Sequence, residues 1–231
     1  MTYRLAHGRN LIDAGAGLEQ SDLPPFERGR IDPRAWFPDP TRPFEIEIGS
    51  GKGTFLVQQA AERPEVNYLG IEWSNEFFSY AADRIRRRGL SGGVRILHGD
   101  ATEFIRFWCA DSVAGVIHLY FSDPWPKSRH HKRRVVQEHT LIEFHRVLEP
   151  RGELRLVTDH GDLWAWYESH AARHADIFER REFARPESAG EGEIVGSNFE
   201  RKYAREGRPF FAMTLVKRTS NCTRECAHAT R

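Results

Sequence analysis

From residue 44 onward, short runs of apolar and β-branched residues alternate with longer stretches whose apolar positions recur at helical spacing. The short runs at 44–48, 68–71, 94–97, 113–121 and 153–158 read as strands, and 53–61, 74–88, 102–108, 134–148 and 162–174 read as helices. Ser74 stands where an N-cap hydroxyl is favoured, and Gly89 where a helix ends. Five strand–helix units in succession predict a parallel sheet wrapped by helices, a Rossmann-like domain. Ahead of it, residues 1–42 have no sustained period, and Pro24, Pro25, Pro33, Pro38 and Pro40 break any helix. They read as a partly extended arm anchored around Trp36 and Phe37. Beyond residue 175 the pattern fades into a Glu-, Gly- and Arg-rich stretch and resumes at 209–217 as a final strand. The expected organisation is an arm (1–42), one domain (43–218) and a flexible tail (219–231).

Composition narrows the function classes. The 231 residues carry 34 Lys plus Arg against 33 Asp plus Glu, a formal charge of +1, which excludes a uniformly cationic nucleic-acid coat but not a local basic cluster. No run approaches the ~18 apolar residues of a membrane span, and the first residues lack a signal peptide's apolar segment, so a cytoplasmic protein is expected. Cys109, Cys222 and Cys226 are too few for a disulfide framework, and Cys222-x3-Cys226 alone offers too few ligands for zinc, so no metal is expected.

The first strand runs into Glu47-Ile48-Gly49-Ser50-Gly51-Lys52-Gly53-Thr54, a tight turn delivering the chain into a helix. Glycines here let backbone approach a ligand closely. Thr54 occupies the position of the helix-packing glycine of the dinucleotide fingerprint, which weakens a nicotinamide reading. The spacing suits S-adenosylmethionine, which has no pyrophosphate to cradle. Glu72 ends the second strand, where a carboxylate can take the ribose hydroxyls, and Asp100 follows the third, in reach of an adenine amino group.

The fourth strand leads into Ser122-Asp123-Pro124-Trp125-Pro126, a loop stiffened by two prolines that sets Asp123 at the carboxyl edge of the sheet. Five Lys or Arg and two His follow within Lys127 to Arg134, the footprint of contact with a phosphate backbone. If this run opens the helix predicted at 134–148, its cations oppose the helix dipole and call for an anion.

Together these segments, with Thr158-Asp159 and with Ser197-Asn198-Phe199-Glu200-Arg201-Lys202 followed by Gly207, resemble the bacterial tRNA (guanine-N7-)-methyltransferase family over about residues 44–217. Asp123-Pro124-Trp125-Pro126-Lys127 and the basic run are the most specific part of the likeness. The resemblance implies a class I S-adenosylmethionine-dependent methyltransferase: an α/β, mostly parallel doubly wound sheet with an antiparallel final strand. It implies S-adenosyl-L-methionine as methyl donor and N7 of a guanosine in the tRNA variable loop as acceptor. It puts Glu47, Glu72, Asp100 and Asp123 around the cofactor, beside Gly49 and Gly51 of the glycine turn, and Lys127, Asp159, Ser197, Asn198, Phe199 and Glu200 at the RNA; Asp123 is the candidate catalytic residue, because a carboxylate near the acceptor can stabilise charge arriving on the base. The chain departs from the family at Ser122, where Pro is usual, at Ser128, where Lys is frequent, and at Ser197, where Thr is common. Two rivals stay open: a methyltransferase acting on an exocyclic amine, and an RNA-binding module without catalysis.

Overall fold

The computed structural model describes residues 11, 13 and 15–219, so the expected tail with Cys222 and Cys226 lies outside the described residues. Eight strands form one sheet: β1 (Gly17–Glu19), β2 (Phe44–Ile48), β3 (Asn67–Glu72), β4 (Val94–His98), β5 (Ala114–Tyr120), β6 (Leu148–Thr158), β7 (Phe178–Arg181) and β8 (Phe211–Lys217). Their order is β1-β4-β3-β2-β5-β6-β8-β7. β1 to β6 pair in parallel, whereas β8 runs antiparallel to both β6 and β7. The helices are α1 (Thr54–Glu62), α2 (Asn75–Arg87), α3 (Ala101–Glu103, widening into a π-type turn at Phe104–Trp108), α4 (Glu138–Val147), α5 (Gly161–Arg173) and α6 (Asn198–Arg205). None is long and apolar enough to cross a membrane.

β2 and β3 are buried along their whole length, as central strands are when helices cover both faces of a parallel sheet. Alternate side chains divide between the faces. Ile46, Ile48, Leu69, Ile71, Leu97, Ile117 and Leu119 face the larger apolar core, which Leu141, Phe144, Leu163 and Tyr167 of α4 and α5 complete. Tyr68, Val94 and Ile96 point the other way, onto α1 and α2. On that second face the middle of the sheet is polar: Glu45, Glu47 and His118 are all buried. His118 is held neutral, burial pushing its pKa down; Nε2 donates to the Glu45 carboxylate (2.9 Å) and Nδ1 accepts from the Tyr120 hydroxyl (2.6 Å). Burial alone would raise the Glu45 carboxyl, but the His118 bond, with Arg63 and Arg155 nearby, holds it below the ordinary value.

Several elements differ from the pattern in the sequence. The basic run winds into a 3-10 turn, Ser128–Arg133, and α4 begins only at Glu138, behind a reciprocal cap in which the Gln137 N–H donates to Thr140 Oγ1 (2.8 Å). The dipole argument for an anion at that helix start therefore falls. β1, β7 and α6 were not legible, being three, four and eight residues long with few apolar positions.

Gly70 in β3 is dictated by packing, because a Cβ there would stand 2.4 Å from Leu56 Cδ1 and 2.5 Å from Ser50 Oγ. We expect Gly70→Ala to lower stability by about 1–3 kcal/mol in denaturant unfolding, the usual cost of overpacking; an unchanged midpoint would show that the Ser50 turn yields freely.

Candidate active site

The carboxyl ends of β2, β3, β4 and β5 open onto a cleft of about 720 Å³, lined among others by Gly49, Gly51, Glu72, Asp100, Asp123 and Phe199. Its floor is the turn after β2. Gly49, Gly51 and Gly53 all have left-handed φ (76°, 52° and 65°), which side-chain-bearing residues rarely adopt. A Cβ on Gly49 would meet nothing within 4 Å, so the turn leaves space where a ligand can lie against bare backbone. The turn is fixed from β3: Glu72 accepts from the Gly51 N–H (2.7 Å) with one oxygen and from the Ser74 N–H (2.8 Å) with the other. Burial pushes the Glu72 carboxyl up despite those bonds, and the Asp123 charge adds to the rise.

Glu47 is 6% exposed and is not among the residues that line the cleft. Its Oε2 has no hydrogen-bond partner, and burial, reinforced by the charge of Glu72, pushes its pKa up to about 8. Among the described residues neither Glu47 nor Glu72 has an ion pair, and the cations that border the same cleft, Lys132 and Arg133, pair with neither. That donor set and the open glycine cradle fit a cationic ligand with a backbone-hugging tail, as S-adenosylmethionine is. Asp100 caps α3, its Oδ1 accepting from the N–H and hydroxyl of Thr102 (2.8 and 2.6 Å), yet still borders the cleft. Among the described residues no group of His, Cys, Asp or Glu is placed to hold a metal ion.

Asp123 lies exposed between two strained residues, Phe121 (φ 54°) and Trp125 (φ 43°). The loop is pinned on both sides. Ser122, where the family usually has Pro, shares a 2.8 Å hydrogen bond with the Tyr167 hydroxyl, and Arg134 Nε donates to the Pro124 carbonyl (2.9 Å). Arg134 is only 3% exposed and stacks over Trp166, so it braces the loop instead of extending the basic surface. Lys132 and Arg133 border the cleft, Arg133 lying over the Trp125 ring at 4.8 Å, while Lys127 is exposed and is not among the lining residues.

The remaining expected substrate residues divide. Ser197 caps α6, accepting from Glu200 N (3.1 Å), and the buried Glu200 carboxylate accepts from the N–H groups of Ile194, Val195 and Gly196. Asn198 donates to Thr54 Oγ1 (2.7 Å). Of this segment Phe199 borders the cleft, in van der Waals reach of Gly51. Asp159, outside the cleft, pairs with Arg208 at 2.7 Å. Trp73, 74% exposed, and Phe77 also line the cleft, whereas Phe78 is core; their spacing in the sequence does not separate these roles.

The burial of Glu47 has a pH signature. Its folded pKa of about 8 exceeds the unfolded 4.5, so the folded state keeps a proton that the unfolded chain releases, and the cost grows as pH rises from 4.5 to about 8. Without ligand, Glu47→Gln should therefore gain stability on the order of 1–3 kcal/mol at pH 8 and almost none at pH 5. Thermal unfolding at the two values tests this; a gain independent of pH would contradict it.

Comparisons with known proteins agree with this geometry. A family described as "Putative methyltransferase" matches residues 41–213. The tRNA (guanine-N(7)-)-methyltransferase of Nitrobacter hamburgensis is 36% identical over 191 residues, 83% of this chain and 74% of that protein. The enzyme of the same name from Streptococcus thermophilus is 31% identical over 169 residues, 73% of this chain and 78% of that protein. Among solved structures, an aminoglycoside-resistance methyltransferase superposes with a TM-score of 0.53 at 17% identity, covering 76% of this chain and 87% of its own, a likeness of fold alone. With the family match over most of its length and these relatives, the chain belongs to the tRNA (guanine-N(7)-)-methyltransferase family.

Proposed function

We propose that the protein transfers the methyl group of S-adenosyl-L-methionine to N7 of a guanosine in the variable loop of tRNA, with residues 43–218 as the catalytic body. The observation that carries this reading is one cleft bordered both by Glu72, Asp100 and Asp123 and by the cationic Lys132 and Arg133. A cationic methyl donor and a polyanionic acceptor need those two neighbourhoods side by side.

When bound, the cofactor supplies a methyl group activated on a positively charged sulfur. The glycine turn and Glu72 hold it, with Asp100 toward its adenine end. N7 of guanine has a free in-plane lone pair, so no base has to remove a proton before attack. The residues' task is alignment, and holding two reactants in line is worth up to roughly 7–11 kcal/mol. Asp123 stands on a braced, strained loop at the acceptor side, where its carboxylate stabilises positive charge arriving on the purine or accepts from the guanine N1–H and amino group. Lys127 takes a phosphate or the base O6. Ser197 and Glu200 serve by shaping the start of α6, Asn198 by tying it to Thr54, so that Phe199 faces the acceptor, and Asp159 acts together with Arg208.

Labelled methyl transfer to a tRNA transcript with guanosine in the variable loop, against one with adenosine there, tests the assignment: we expect label in the first alone, and equal labelling would defeat it. Asp123→Asn should lower turnover at saturating tRNA by about 10²-fold, the scale of losing one group that stabilises developing charge. The double variant Lys127→Glu with Arg129→Glu should weaken tRNA binding and flatten its salt dependence while cofactor affinity holds. Unchanged tRNA affinity would remove the basic run from the interface.

A further inference from the structure

The arm is outside the family match, which begins at residue 41, yet it is built into the sheet. β1 pairs in parallel with β4 beyond the sheet's cofactor-binding strands. Glu19 is bonded to His98 Nδ1 (2.7 Å), and the Trp108 indole N–H donates to the Pro24 carbonyl (2.8 Å). A second cavity of about 600 Å³ opens between this segment and the end of β4, and it shares Trp73, Gly99 and Asp100 with the main cleft. The two spaces therefore meet at the strand end where Asp100 stands.

Gln20 lines the second cavity next to that junction. Its side chain lies directly on Gly99, with Oε1 nearest: a Cβ at that glycine would overlap Gln20 Oε1 and stand 2.7 Å from Gln20 Cβ and 2.8 Å from Cδ. Nε2 faces the Glu103 carboxylate (3.4 Å), a contact only the donor end of the amide can make, which fixes Oε1 as the inward end. Oε1 is buried and has no partner. A buried acceptor without a donor costs free energy, and native structures keep such groups paired with protein, water or ligand. Asp100 commits Oδ1 to capping α3, so a second acceptor beside it completes the recognition of an exocyclic amine, which carries two N–H donors.

We propose that the arm is part of the cofactor site, with Gln20 Oε1 accepting from the adenine amino group beside Asp100 and residues Glu19 to Pro25 closing the adenine end of the cleft. This rests on S-adenosylmethionine being the cofactor. The specificity it confers is for a 6-amino purine over a 6-oxo purine.

Calorimetric binding of S-adenosylhomocysteine, and of its hypoxanthine counterpart S-inosylhomocysteine, to the full-length protein and to Gln20→Ala tests it, with thermal unfolding as the control for folding. The variant should bind the adenine ligand roughly five- to tenfold more weakly, the loss of one hydrogen bond, and the hypoxanthine ligand as the wild type does. Equal losses for both ligands would reduce Gln20 to a packing role, and no loss for either would remove it from the site; both overturn the proposal while leaving the cofactor assignment standing. Wild-type protein that binds neither ligand would overturn the cofactor assignment and this proposal together.

Discussion

The hydrogen bond from the Gly51 amide to Glu72, at 2.7 Å, organises the site. A carboxylate accepting backbone N–H bonds makes some of the stronger contacts available to a protein, and here the same side chain grips the turn after β2 and, through Ser74, the entry to α2. Two loops from neighbouring strands are thereby held in one relation. The left-handed glycines, the packing of Ser50 against Gly70 and the space above Gly49 all follow from that grip. So does a cost: with Glu72 fixed close by, the buried Glu47 carboxyl is held protonated to about pH 8, and burial raises Glu72 as well.

The opposite solution appears a few residues away. Glu45, on the same face of β2, is also buried, but His118 and Arg63 satisfy its oxygens, and Tyr120 completes the histidine. A closed polar network can be kept inside a sheet at modest cost, whereas a half-closed one is costly. One strand thus carries two glutamates two residues apart, one with both oxygens bonded and the other with an oxygen left without a partner. Burial alone does not distinguish them; the distribution of partners does.

Much of this was legible beforehand. The fold class followed from alternating periodicities, and the strand-end acids were found because open α/β sheets bind ligands at carboxyl ends. Reading residue types could not say which member of a cluster is structural. Arg134 looks like its neighbours Lys132 and Arg133 in sequence, yet it turns inward to Pro124, because the chain after it is extended and must bury Val136 before α4 can start. Ser197 and Glu200 sit in a motif that resembles an RNA contact, but α6 is polar and short and needs both to hold its first turn. The arm was illegible for a different reason. Three residues of strand have no period to detect, and the contact that gives Gln20 its place, the bare face of Gly99, exists only once distant segments meet.

The bond between Ser122 and Tyr167 couples two positions 45 residues apart. A proline at 122 would stiffen the loop through its own ring and leave the hydroxyl of Tyr167, a buried residue of α5, without its partner. Drift between the two solutions is therefore a paired event. Chains that keep the serine are expected to keep the tyrosine, and chains with the proline are free to carry phenylalanine there, so the identity at 167 reports how each lineage stiffens its acceptor loop.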